Sequence, residues 1–164
     1  VLIALCALCA LSGFVRAQPV PSFSDCATPV EARRISTCLV FSDARARRYQ
    51  SVIRDAAKGP VNFAGHFVLA TWGCGASCVM AAVIDAKTGR VTSLPFTVSN
   101  WPEDITEPLS WRADSCLLVV EGSRNESDER GRYCYLFDGN TFTLRRAVRA
   151  PEREAPSMKR EATP

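Results

Sequence analysis

The spacing of apolar positions along this chain changes from helical to strand-like just before its middle, and the change marks out the elements. From Ser42 the apolar residues Tyr49, Val52, Ile53 and Ala56 recur at the helical spacing, with Arg45, Arg47, Arg48, Arg54 and Lys58 on the opposite face. Ser42 or Asp43 is placed to cap this helix, and Gly59 with Pro60 to end it. Beyond Pro60 the pattern is that of strands. His66 to Trp72 and Val79 to Asp85 are near-continuous apolar runs rich in β-branched and aromatic residues, as expected of strands buried on both faces. A glycine-cysteine turn bends one back on the other. Asp85 to Gly89 forms the next tight turn, and Arg90 to Val98 a third antiparallel strand whose Pro95 suits an edge. Asn100 to Pro108 is a loop, Leu109 to Trp111 and Cys116 to Glu121 are strands, and Arg132 to Phe137 and Thr141 to Val148 form a last hairpin around Asp138, Gly139 and Asn140.

The expected fold class is α+β: one N-terminal amphipathic helix, then a predominantly antiparallel β-sheet meander, stabilised by disulfides. Ser110 to Leu144 has the strand and turn grammar of a four-stranded propeller blade, although a single blade cannot close a propeller. Gln18 to Thr37 lacks periodicity and forms an irregular lead-in. Residues 150–164 hold three prolines and alternating charge with almost no large apolar side chain, the composition of a disordered tail.

The apolar start of the chain adds a compartment. Residues 1–13 are almost wholly apolar, and Val15 and Ala17 supply small residues three and one before Gln18, the pattern of a secretory signal peptide over 1–17 that is too short for a permanent anchor. The expected layout is thus signal peptide 1–17, a single β-rich domain 18–149 and tail 150–164, with a periplasmic or secreted location. The formal charge of +3 becomes +2 when Arg16 leaves, too small for an electrostatic case for nucleic acid, and the membrane enters only through the cleaved signal. Six of the eight cysteines remain: Cys26, Cys38, Cys74, Cys78, Cys116 and Cys134. An even number in an exported chain favours disulfides, and proximity in sequence favours the pairs Cys26–Cys38, Cys74–Cys78 and Cys116–Cys134 among about 15 connectivities. Were Cys116 to face Cys134 across two strands, Leu117 would face Tyr133.

Candidate chemistry is sparse. Cys74 and Cys78, flanked by Gly73 and Gly75, sit at the tip of a turn, where a disulfide is the structural reading and a copper or dithiol redox centre the functional one. His66 would be the third member of such a metal site, yet eight residues of extended strand put it roughly 25 Å from Cys74. Copper-delivery proteins of the periplasm carry a similar CxxxC, but in a thioredoxin-like domain with the histidine later in the chain. The string GCGASC lacks the following Trp and His of a cysteine protease. His66 reads first as a hydrogen-bonded strand residue and Asp85 as a turn brace. Glu103, Asp104, Glu107 and Glu126, Asp128, Glu129 do not match calcium-loop spacing and read as solvated loop faces. Trp72, Trp101 and Trp111 are candidates to line a carbohydrate or peptide groove, with core packing as the plainer role.

Taken in order after an Arg-rich helix ending DAAKGP, the strings NFAGHF, WGCGASC and DAKTGRV resemble a family of small exported bacterial proteins to which no activity is assigned. The resemblance covers residues 44–96 and implies an exported protein of a Gram-negative bacterium with the same central hairpin. The expected function is a non-catalytic, disulfide-stabilised binding or inhibitor-type domain of the periplasm, with a protein or envelope component as partner and no cofactor. The alternatives are a copper-binding or thiol-redox protein using Cys74, Cys78 and His66, and, more remotely, a hydrolase using His66 with an acid.

Overall fold

A computed structural model describes residues 19–31 and 38–150. The expected signal peptide and nearly all of the expected C-terminal tail lie outside the described residues. The elements are β1 (Val40–Phe41), α1 (Ala44–Arg48), α2 (Gln50–Ala56), β2 (Phe67–Gly75), β3 (Cys78–Asp85), β4 (Arg90–Ser93), β5 (Val98–Ser99), β6 (Leu109–Ser110), β7 (Leu117–Arg124), β8 (Arg130–Phe137) and β9 (Phe142–Arg149), all strands belonging to one nine-stranded sheet. Strand β2 pairs with β3 along its whole length, from Phe67 opposite Asp85 to Gly75 opposite Cys78. The second edge of β3 is divided between β4, opposite Ala82 to Ile84, and β5, opposite Cys78 and Val79. One edge of β7 is likewise divided between β5 and β6, and its other edge pairs with β8, which pairs with β9. The four-stranded meander expected between Ser110 and Leu144 is therefore present as β6-β7-β8-β9.

Side chains alternate between the faces of a strand, and each face here meets a different partner. Phe67, Leu69, Ala81, Val83, Val98, Leu118, Val120, Tyr133, Tyr135 and Phe137 point into the main core with Phe63, Leu94 and Phe96. The ring of Phe67 lies edge-on to that of Phe137 at 5.0 Å although β2 and β8 are not sheet neighbours, so the sheet folds over on itself. On the other side of β2 and β3, Val68, Ala70, Ala82 and Ile84 meet Ala46 and Ile53 of the helices. On the outer side of β7 and β8, Leu117, Val119 and Cys134 meet Phe23. Burial on both faces accounts for the near-continuous apolar runs.

The secondary structure and strand pairing depart from the expectation in four places, and the disulfides in a fifth. The helix is two pieces separated at Tyr49, whose φ of −104° and ψ of 23° leave the helical range while its ring packs against Trp72 at 5.2 Å. A short strand precedes the helix, and β1 runs parallel to β4, so the sheet is mixed. The expected strand Arg90 to Val98 stops at Ser93, and after Pro95 the chain resumes as β5 against β3 and β7 instead of continuing one edge. Finally, Leu117 faces Leu136 and Val119 faces Cys134. Relative to the expected Leu117–Tyr133 pairing the register moves by three residues, an odd shift that turns Tyr133 to the inner face and Cys134 to the outer one.

The disulfide set differs as well. Cys26 bonds to Cys116, with Cα atoms 5.4 Å apart, and Cys74 to Cys78 at 5.1 Å. The expected Cys26–Cys38 and Cys116–Cys134 bridges are not formed: Cys38 is exposed, and Cys134 is a buried thiol whose pKa is pushed up by burial. The N-terminal segment is laid against the chain before β7 through Thr28 N–H to Asp114 O at 2.8 Å, Cys116 N–H to Cys26 O at 3.0 Å and Ser115 Oγ to Phe23 O at 2.7 Å. Non-reducing peptide mapping should join the Cys26 peptide to the Cys116 peptide. Because that bridge spans 90 residues and the other only 4, paired serine variants should lose about 4–5 and about 2 kcal/mol respectively in urea unfolding.

Asp43 is the N-cap of α1, accepting Ala46 N–H at 2.7 Å, and it also accepts from Ser93 N–H and Oγ, which ties the helix to β4. Burial alone would raise its pKa, but these hydrogen bonds outweigh it and hold the carboxyl below its ordinary value. Asp43→Ala should cost about 1–2 kcal/mol at pH 7. A depressed folded-state pKa makes the contribution complete above the ordinary Asp range and lost as pH falls through the folded value, so the wild-type advantage in urea should shrink below about pH 4.

Candidate functional site

The β2–β3 hairpin sends the three sequence-selected residues to opposite ends. Cys74 and Cys78 are bonded to each other at its tip, while His66 precedes β2 and lies beside Asp85 at the other end. Eight residues of strand separate His66 from Cys74, roughly 25 Å. The structure therefore brings together Cys74 and Cys78 but not His66.

At the His66 end nearly every polar group is engaged in holding the fold. The Asn62 side chain both accepts from Leu69 N–H at 2.7 Å and donates to Leu69 O at 3.2 Å, standing in for a strand neighbour. Phe63 fills the core, and Gly65, at φ +82°, donates to Ala113 O and accepts from Glu31 N–H. A Cβ at Gly65 would come within 2.7 Å of Pro29 O, so NFAGHF requires glycine there to admit the N-terminal segment. The His66 ring packs on Phe67, and its Nε2 is 3.6 Å from Asp85 Oδ1. Asp85 also accepts from Lys87 N–H at 2.8 Å and Thr88 Oγ1 at 2.7 Å. Burial opposes ionisation of Asp85, but the Thr88 and Lys87 hydrogen bonds, with His66 adding to them, hold its pKa below the ordinary value. The Thr88 hydroxyl donates to the carboxylate, and no Ser, Thr or Cys side chain hydrogen-bonds to the imidazole among the described residues. The arrangement is a braced turn with a tethered histidine.

The tip of the hairpin is different. There a pocket of about 430 Å³ opens to solvent beside the Cys74–Cys78 bridge. The hairpin tip contributes Ser77, the chain after β5 contributes Asn100, Trp101 and Glu103, the end of β7 and its loop contribute Ser123, Ser127 and Asp128, and β8 contributes Arg130. The walls are fixed by backbone. Cys78 pairs with Ser99 and Ser99 with Ser123, which places three strands across the floor. Asn125 accepts from Thr97 N–H at 3.1 Å through its side chain and donates its own N–H to Thr97 O at 3.0 Å. Tyr133 Oη donates to Glu129 O at 2.8 Å. Ser77 and Asn100 of the lining and Asn125 and Glu126 of the adjoining turn adopt positive φ, between 48° and 58°, as tight turns require, and so does Ala64 at the His66 end, with φ 43°.

The side chains within these fixed walls are uncommitted. Among the described residues Ser77, Asn100, Glu103, Ser127, Asp128 and Arg130 make no side-chain hydrogen bond or ion pair, whereas Asp43, Asp85, Asp114 and Asp138 are each engaged. Ser123 is fully buried, and its hydroxyl, like that of Ser99 opposite, has no partner. The two hydroxyls belong to residues directly opposite each other and pack together beneath the pocket. Of the three tryptophans, only Trp101 lines this pocket. Trp72 packs on Tyr49, and Trp111 packs on the main core. Glu103 and Asp128, read from sequence as solvated loop faces, also line it. Ser77, Asn100, Ser123 and Arg130 were not legible as site residues, because the pocket is assembled from separate segments with no shared motif. Among the described residues no cluster of three or more His, Cys, Asp or Glu side chains could hold a metal. Comparison with protein-family models, curated proteins and solved structures finds no match to the chain.

Gly122, at φ +126°, lies under the pocket, where an added Cβ would collide with Ser99 O and sit 3.3 Å from Trp101 Cβ. Gly122→Ala should lower the unfolding free energy by about 2 kcal/mol or more and shift the Trp101 indole resonance. A variant as stable as the wild type would show that this close approach is not required.

Proposed function

We propose that this chain is an exported, disulfide-stabilised binding domain of the bacterial periplasm that engages an envelope component through the pocket at the Cys74–Cys78 tip. The observation that carries this reading is a pocket whose polar wall side chains Ser77, Asn100, Glu103, Ser127, Asp128 and Arg130 make no hydrogen bond or ion pair among the described residues, while its backbone is clamped by strand pairing and a disulfide. Preorganised walls lower the ordering cost of binding, and unpaired polar groups supply specificity. The exported compartment is supported by the apolar start of the chain, by two disulfides and by the resemblance to exported proteins. No helix among the described residues is long and apolar enough to cross a membrane.

A second reading, a copper or thiol-redox centre, is favoured by the position of the Cys74–Cys78 bridge at an exposed hairpin tip, within reach of a reductant. It would rest on the two sulfurs alone, His66 being at the far end.

Cosedimentation of the mature protein with sacculi and outer-membrane fractions of a Gram-negative bacterium tests the two. Wild type should pellet, and a Trp101→Ala/Arg130→Ala variant that keeps the folded far-ultraviolet circular dichroism spectrum should stay in solution. Equal pelleting of both would remove the pocket from the function. Stoichiometric copper in purified wild type, lost in Cys74→Ser/Cys78→Ser, would decide for the second reading.

A further inference from the structure

We infer that the ligand of this pocket is a saccharide, presenting one face of a sugar ring to Trp101 and its hydroxyls to the polar walls; this deepens the binding-domain reading and rests on it. The inference comes from the mixture of groups present. An apolar ligand would leave the carboxylates of Glu103 and Asp128 and the guanidinium of Arg130 desolvated without partners. A phosphate or other anion would face two carboxylates against one guanidinium. A cation would suit the carboxylates and the indole but would oppose Arg130 and leave its donors unused. A neutral ligand that both donates and accepts at many points, and that also has an apolar face, uses all of them. Carboxylate, amide and guanidinium groups are planar forks that match adjacent hydroxyl pairs, and an indole offers a flat apolar surface to the C–H face of a pyranose.

The shape of the pocket agrees with such a ligand. Ser123 closes the floor of the pocket, its side chain fully buried beside that of Ser99 across the strand pair, so a ligand is received by the exposed polar groups of the walls. At about 430 Å³ the pocket falls within the size range of small-molecule sites, with room for a short saccharide. Trp101 packs against the main core while also lining the pocket, so its ring is held in place before the ligand arrives.

An NMR titration of the isotope-labelled mature protein tests this, using maltotriose, cellotriose and tri-N-acetylchitotriose as sugars, with trialanine and trilysine as non-sugar probes. The expected result is saturable shifts of the Trp101 indole and the Gly122 and Ser123 amides with at least one sugar and with neither peptide. Trp101→Ala should weaken that binding about tenfold. Arg130→Ala should weaken it too while leaving the melting temperature unchanged, a combination that a purely structural role for the guanidinium would not produce. Pocket shifts with a peptide and with none of the sugars would overturn the saccharide inference and leave the binding-domain reading standing. No pocket shift with any probe, together with unaltered pelleting of the Trp101→Ala/Arg130→Ala variant, would overturn both.

Discussion

Two residues, Val98 and Ser99, join the halves of this sheet, and much of the architecture follows from what they must satisfy. As β5 they pair with the tip of β3 on one side and the end of β7 on the other. Val98 drops into the main core, while Ser99 turns to the opposite face and meets Ser123. So short a strand bonded on both edges leaves little freedom in spacing, and it brings the Ser99 carbonyl hard against Gly122. The loop after β7 is tied back to the approach to β5 by the two-way Asn125–Thr97 interaction. The pocket is the outer consequence of this joint, since its floor and two of its walls are the residues that flank it.

The disulfides reinforce different scales of the same object. The Cys74–Cys78 bridge is local and stiffens the hairpin tip that walls the pocket. The Cys26–Cys116 bridge is long-range and holds the N-terminal segment over the outer face of β7 and β8, where Phe23 covers Leu117, Val119 and the Cys134 thiol. Its loop of 90 residues makes it the cross-link with the larger effect on the unfolded chain. The same segment passes Gly65, so NFAGHF and the long-range bridge belong to one packing solution.

The two ends of the central hairpin divide structure from availability. Around His66 the Asn62 and Asp85 side chains are spent on backbone amides and the Thr88 hydroxyl, and the cluster holds turns together with the imidazole 3.6 Å from Asp85. Around Trp101 the backbone is equally well held, but the side chains are left open. That difference makes the Trp101 end, and not the His66 end, the candidate binding site.

What the chain's own pattern determined was local. Period and composition were enough for the Asp43-capped helical region, the β2–β3 hairpin with its Cys74–Cys78 bridge and the final β8–β9 hairpin, because turns, caps and alternation act between residues close in sequence. The break at Tyr49, the parallel β1–β4 pair, the Cys26–Cys116 bridge and the three-residue register shift were decided by contacts between residues far apart in the chain. The site divides the same way. Trp101 stood out as a residue type, but its company of Ser77, Ser123 and Arg130 exists only because β3, β5 and β7 meet side by side, a juxtaposition that no spacing in the sequence records.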